Sequence, residues 1–183
     1  MIFFRNSSLN FLRSTILWVG VVFLSPMAQL MAEPDNFHRV DDKVWRSAQP
    51  EKRDFPELQK LGITEVLNLR EWHDDAQKAE NTALHLHKVA MDAGDLREKD
   101  LIEAVKILRD SQGPILVHCW HGSDRTGMVV ALYRMVVNGW TRERAIAEFI
   151  TPAFGYHAMT YPQLRKYLEN VDIGKFKKAL DRK

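Results

Sequence analysis

The segment that most limits the fold runs from Pro114 to Tyr133. Pro114-Ile115-Leu116-Val117 is a short, unbroken apolar run and reads as a buried strand. Met128-Val129-Val130-Ala131-Leu132-Tyr133 reads as a buried helix. Between them lies His118-Cys119-Trp120-His121-Gly122-Ser123-Asp124-Arg125-Thr126-Gly127, which holds the only cysteine of the chain at a strand–loop–helix junction.

That junction has a defined chemistry. A loop entering a helix presents unpaired backbone N–H groups and the positive end of the helix dipole, which together bind anions. The same field favours a thiolate over a thiol at Cys119. Arg125, after five intervening residues, can fork onto two oxygens of a tetrahedral oxyanion. Gly122 permits a tight loop with inward-facing amides. A buried structural cysteine needs none of these neighbours.

The surrounding pattern alternates strands and helices. Residues 37–47, with an Asp-Asp turn, predict a short hairpin or two edge strands. A short helix over 54–60 is ended by Gly62, and 64–70 predicts a strand. A helix is expected over 74–82. Leu84-His85-Leu86-His87-Lys88-Val89 alternates with period two and predicts another strand. Leu101, Ile102, Val105 and Leu108 recur at helical spacing, giving an amphipathic helix over 97–110. Beyond the Cys119 loop, helices are expected over 125–138, with Gly139 just past the end, then 141–150 with Thr141 as cap, 160–169 and 173–180. The expected fold is α/β: a small, mostly parallel sheet with helices on both faces. The loop then lies at the carboxyl end of a central strand, where such folds place ligand sites. Methionines and tryptophans outside the loop read as core.

The first 32 residues differ from the rest. Arg5 and Arg13, no acidic residue, an apolar run over 15–24 and a small-residue stretch ending at Ala32 match the order of a secretory signal peptide. Cleavage after Ala32 leaves a domain over 33–183; the alternative is a membrane anchor over 14–31, which is the only membrane association expected. Without Arg5 and Arg13, Lys+Arg falls from 26 to 24 and equals the 24 Asp+Glu. A neutral domain with no basic tract is not expected to bind nucleic acid. A lone cysteine excludes an internal disulfide, and a catalytic role justifies an exposed thiol in an oxidising compartment.

The His-Cys, five residues, Arg-Thr pattern of His118, Cys119, Arg125 and Thr126 resembles the signature of cysteine-dependent phosphatases. Val44-Trp45-Arg46-Ser47-Ala48-Gln49-Pro50, Val66-Leu67-Asn68-Leu69-Arg70, the approach from Gly113 to Cys119, and the stretch from Tyr133 to Trp140 resemble dual-specificity phosphatases, in particular exported bacterial (TpbA-type) members and an atypical plant and fungal group. The resemblance implies a dual-specificity phosphatase-like fold and a metal-free, cofactor-free two-step hydrolysis. Cys119 attacks phosphorus, Arg125 and the loop N–H groups from Trp120 through His121, Gly122, Ser123 and Asp124 hold the equatorial oxygens, and Thr126 assists departure of sulfur. It also implies a general acid on the loop holding Asp92 and Asp95, with Asp95 the preferred assignment. Expected partners are phosphotyrosine proteins, with phosphoserine and phosphothreonine also open, in the periplasm or otherwise outside the cytoplasm. Alternatives are a phosphoinositide or inositol phosphate phosphatase, disfavoured by a loop without lysine, a thiol redox or sulfur-transfer enzyme, and a phospho-binding module without turnover.

Among the neighbours, His118 is expected to support the loop by hydrogen bonding. Asp124 orders the Arg125 guanidinium, interacts with a substrate water, or caps the helix. Arg46 and Arg70 are flanking pocket cations or solvated strand-end charges. His85 and His87 lack a third ligand and read as surface or packing histidines. N-terminal sequencing of the exported protein is expected to begin at Glu33; an intact Met1 on the mature protein excludes cleavage.

Overall fold

The computed structural model describes residues 33–182; the leader reading over 1–32 lies outside them. Strand β1 (His38–Arg39) turns back into β2 (Val44–Ser47). The turn is closed by Asp41, whose Oδ1 accepts from the backbone N–H of Lys43 and Val44 at 2.9 and 2.8 Å. Helix α1 (Asp54–Lys60) leads through Gly62, in the left-handed region at φ 87°, to β3 (Glu65–Arg70). Strand β4 (His85–Met91), helix α2 (Glu98–Asp110), strand β5 (Ile115–His118) and helix α3 (Asp124–Val136) follow. Helix α4 (Arg142–Phe149) is capped by Thr141, whose hydroxyl accepts from the N–H of Arg144. A 3-10 turn (Pro152–Phe154) precedes α5 (Pro162–Asn170) and α6 (Ile173–Leu180).

The sheet has the order β1-β2-β5-β3-β4. Only β1 runs antiparallel; β2, β5, β3 and β4 are parallel. The expected mostly parallel α/β sheet is therefore present, with β5 at its centre. Successive side chains of a strand face opposite sides, and the two sides are unequal. Leu67, Leu69, Ile115 and Val117 face a large core built with α2, α3, α4, α5 and α6. Val66 and Leu116 face a small one with Phe55, Leu58, Ile63, Ala79 and Leu84. Helix α3 is buried almost throughout, as its unbroken apolar run requires.

Two expectations are corrected. Residues 74–82 form isolated turns, not a helix. The buried carboxylate of Asp75 accepts from Gln49 and pairs with His118, and this inward anchoring displaces a regular helical path. Trp72 and Met159 are not core residues: they are 84% and 99% exposed.

Candidate active site

Cys119 follows directly on β5 and is 1% exposed. The loop after it is pressed onto the end of β2. Gly122 has φ 71°, and a Cβ there would lie 2.5 Å from the Ser47 carbonyl group and 2.6 Å from the Ala48 nitrogen. Only glycine satisfies both the backbone conformation and the approach. Three successive loop carbonyls are engaged from outside. Trp120 O accepts from the N–H of Gln49 at 3.0 Å, His121 O from Asn36 Nδ2 at 2.9 Å and Gly122 O from Arg46 Nη2 at 2.7 Å. In a planar trans peptide, carbonyl and N–H point in opposite directions. The N–H groups of His121, Gly122 and Ser123 are thereby turned to the inside of the loop.

Arg46 is not a solvated strand-end charge. It is 2% exposed, lies 4.1 Å from the Phe154 ring and has no carboxylate within salt-bridge reach among the described residues. Burial pushes its guanidinium down to about 10, with the charges of Glu148 and Cys119 opposing that shift, so it stays cationic at neutral pH. Arg70 does flank the pocket. It stacks 4.1 Å from the Trp120 ring and donates to Gln49 Oε1 at 2.8 Å.

From Gln49 the network continues inward. Gln49 Nε2 donates to Asp75 Oδ1 at 2.9 Å, Asp75 Oδ2 pairs with His118 Nε2 at 2.7 Å, and His118 Nδ1 lies 3.3 Å from Cys119 O. His118 thus supports the loop by hydrogen bonding. Burial alone would raise the Asp75 carboxyl, but the His118 bond and charge, with Gln49 and Asn68, hold it below the ordinary carboxylate value.

Two adjoining concavities open over the loop and share Ala93, Trp120, Arg125 and Tyr161. One, of about 310 Å³, adds His121, Asp124, His157 and Thr160. The other, of about 280 Å³, adds Arg70, Glu71, Trp72, His73, Met91 and Asp92. Arg125 Nη1 donates to Met91 O at 3.2 Å, while its Nε, Ser123 Oγ and Thr126 Oγ1 are buried without a partner among the described residues. Asp92 and Asp95 are both exposed; Asp92 lines the cleft beside Arg125, and Asp95 stands outside that lining.

Asp124 neither caps α3 nor orders Arg125. Its Oδ1 accepts from the His157 N–H at 3.0 Å and its Oδ2 pairs with His157 Nδ1 at 2.8 Å, which ties the segment before α5 to the loop. A further cavity, of about 650 Å³, lies away from the loop around Glu65, His85 and His87. There the two histidines stack at 4.3 Å and His87 pairs with Glu65, as packing groups.

Gln49, Asp75, His157 and Tyr161 complete the site without having been singled out in the sequence. Gln49 carried a signal, since it sits in the Ser-Ala-Gln-Pro turn. Asp75 is 43 residues from His118 and carried none.

The geometry fits the outcome of comparison with known proteins. The model of the tyrosine phosphatase family matches residues 31–183, and the chain belongs to that family. It is 28% identical over 130 residues to the dual specificity protein phosphatase TpbA of Pseudomonas aeruginosa, covering 70% of this chain and 59% of that protein. It is 26% identical over 136 residues to the inositol diphosphatase DSP5 of Arabidopsis thaliana, covering 66% of this chain and 63% of that one. The chain thus spans less than two thirds of the length of these curated relatives. The crystal structure of P. aeruginosa TpbA in complex with phosphotyrosine superposes with a TM-score of 0.73 at 25% identity, covering 81% of this chain and 91% of that one.

Two outcomes follow from this geometry. Gly122→Ala is expected to lower kcat/KM for an aryl phosphate by at least about a hundredfold, the scale of losing an oxyanion donor, with the far-UV circular dichroism unchanged; wild-type turnover would contradict the docking argument. The depressed Asp75 value makes its contribution to stability present above the unfolded carboxyl value of about 3.9 and lost as pH falls through the folded value. Asp75→Asn is therefore expected to flatten the fall of Tm below about pH 4. Parallel acid limbs in the two proteins would remove Asp75 from the account.

Proposed function

We propose that the protein hydrolyses phosphomonoesters through a phosphocysteine, with phosphotyrosine in proteins as its substrate. The observation that carries this reading is the loop itself. A cysteine stands at its base, three of its carbonyls are tied outward, and Arg125 lies in the cleft above it. The walls Trp120 and Tyr161, with the exposed Trp72 at the rim, offer aromatic faces to a substrate ring.

In the first step Cys119 Sγ attacks phosphorus in line and the P–O bond to the leaving group breaks. Arg125 and the inward N–H groups hold the three equatorial oxygens. Asp92 is the residue we assign as acid, in place of Asp95, because it lines the cleft beside Arg125. It protonates the departing phenolate oxygen. In the second step Asp92 takes a proton from water, the water oxygen attacks phosphorus, and the P–S bond breaks to release phosphate. We assign to the Thr126 hydroxyl, buried without a partner among the described residues, the donation to the departing sulfur.

A second reading is hydrolysis of an inositol phosphate or diphosphate, favoured by the relative from Arabidopsis thaliana that carries the name inositol diphosphatase. Comparison of kcat/KM across phosphotyrosine, phosphoserine and phosphothreonine peptides and inositol phosphates is expected to rank phosphotyrosine first. An inositol phosphate in that place favours the second reading. Cys119→Ser is expected to lose at least about a thousandfold in turnover, since the nucleophile has no substitute. Asp92→Asn is expected to lose about a hundredfold or more with phenyl phosphate and little with a highly activated leaving group. The same pattern from Asp95→Asn would reverse the assignment, and phosphate binding without turnover in the wild type would leave a binding module.

A further inference from the structure

Beside the loop, three side chains that the hydrolytic steps leave unused converge. His121, Asp124 and His157 each bring one ligand atom within 4.8 Å of the other two. The imidazoles of His121 and His157 have centroids 5.3 Å apart and are exposed, while the Asp124 carboxylate is buried between them and the start of α3. Among the described residues no lysine or arginine pairs with Asp124; its only ion-pair partner is His157. The three line the same concavity as Arg125, so open coordination positions would face the cleft.

Two imidazoles and one carboxylate are a donor set for Zn²⁺, which often keeps one position open beside three protein ligands. Zn–N distances near 2.0–2.1 Å put neighbouring ligand atoms of a tetrahedron about 3.3 Å apart. The His157 Nδ1 to Asp124 Oδ2 pair, at 2.8 Å, already lies near that spacing, and a side-chain rotation of the exposed His121 closes the rest. Asp124 Oδ1 is separately held by the His157 N–H at 3.0 Å. Oδ2 can therefore exchange its imidazole proton for a metal while the segment stays tethered.

We propose that His121, Asp124 and His157 form a Zn²⁺ site at the mouth of the catalytic cleft, and that its occupancy inhibits turnover. The inhibitory half rests on the proposed hydrolase activity; the binding half does not. A bound ion stands in the concavity that a substrate enters and offers its open position to a phosphate oxygen next to Arg125.

The test separates the two halves. Zn²⁺ is titrated calorimetrically into the full chain carrying Cys119→Ser, which removes the competing thiolate, and Co²⁺ is followed by its visible absorption. One equivalent is expected to bind at micromolar concentration. Addition of His121→Ala, or of His157→Gln, which retains a donor for Asp124, is expected to weaken binding at least tenfold. His85→Ala with His87→Ala, at the distant cavity, is expected to leave it unchanged. Absence of binding below millimolar Zn²⁺, or equal binding with both His121 and His157 replaced, overturns the site even if hydrolysis is fully confirmed. In the chain that retains Cys119, micromolar Zn²⁺ is expected to inhibit reversibly, with the inhibitory concentration rising at least tenfold in His157→Gln. Equal inhibition in that variant places the metal on Cys119 and overturns the regulatory half.

Discussion

The constraint on which the site depends is the direction of three peptide groups. Trp120, His121 and Gly122 have their carbonyls bound by Gln49, Asn36 and Arg46, from outside the loop. A free loop would hydrate carbonyls and amides alike and offer an anion no preference. With the carbonyls tied, the amides converge without any reorganisation when an oxyanion arrives, and preorganised donors of this kind supply much of the stabilisation of developing charge. The sheet order makes this possible. β2 neighbours β5 in parallel register, Ser47 opposite His118, so the end of β2 reaches the loop as soon as β5 enters it.

The same arrangement concentrates positive charge beside the Cys119 loop. Arg46 is buried on one carbonyl and one aromatic face, with its Nε unpartnered. Arg125 has one carbonyl partner and a buried free Nε. Burying a charge without a directly paired counter-charge costs several kcal/mol after relaxation, and a fold selected for stability alone would pair the buried Arg46 with a carboxylate. The nearby carboxylates are occupied otherwise: Asp75 by His118, Asp124 by His157 and Glu148 by Arg134. Arg46 and Arg125 are thus left with carbonyl partners beside the Cys119 loop, at a cost in stability that the packing of the fold has to offset.

This division explains what could be read from the chain. Local signals were sufficient for β5, the loop and α3, because apolar runs, a glycine and an N-terminal helix turn all lie within twenty residues. They were also sufficient for the hairpin, for β3 and β4, and for the Thr141 cap. Residues 74–82 misled because helical propensity there is weak and Asp75 is claimed by partners at 49 and 118, which no local pattern reveals. Asp124 misled for the same reason: an acidic residue at a helix start is ordinarily a cap or dipole partner, and His157, 33 residues on, outcompetes the backbone for it. Between Asp92 and Asp95 the sequence decides little, because both lie on one short loop whose path spacing constrains least.

The cradle and the acid loop are held by different means. Besides β2, the cradle is fixed from beneath: Gly127, on the first turn of α3, is so close to α4 that a Cβ there would meet the Phe149 ring at 2.8 Å. Asn36 adds a third restraint by donating also to Phe154 O at 3.3 Å. The face left open is the cleft. The loop carrying Asp92 is held by its own Asp92–Gly94 hydrogen bond, by the long bonds of Gln163 to Ala93 O and Gly94 O at 3.4 Å, and by the Arg125 contact at Met91. An anion drawn to Arg125 would compete for the guanidinium that holds Met91 O, and so would alter the restraint on the residue next to Asp92. Through this one side chain the open cleft and the loop that carries Asp92 are mechanically linked.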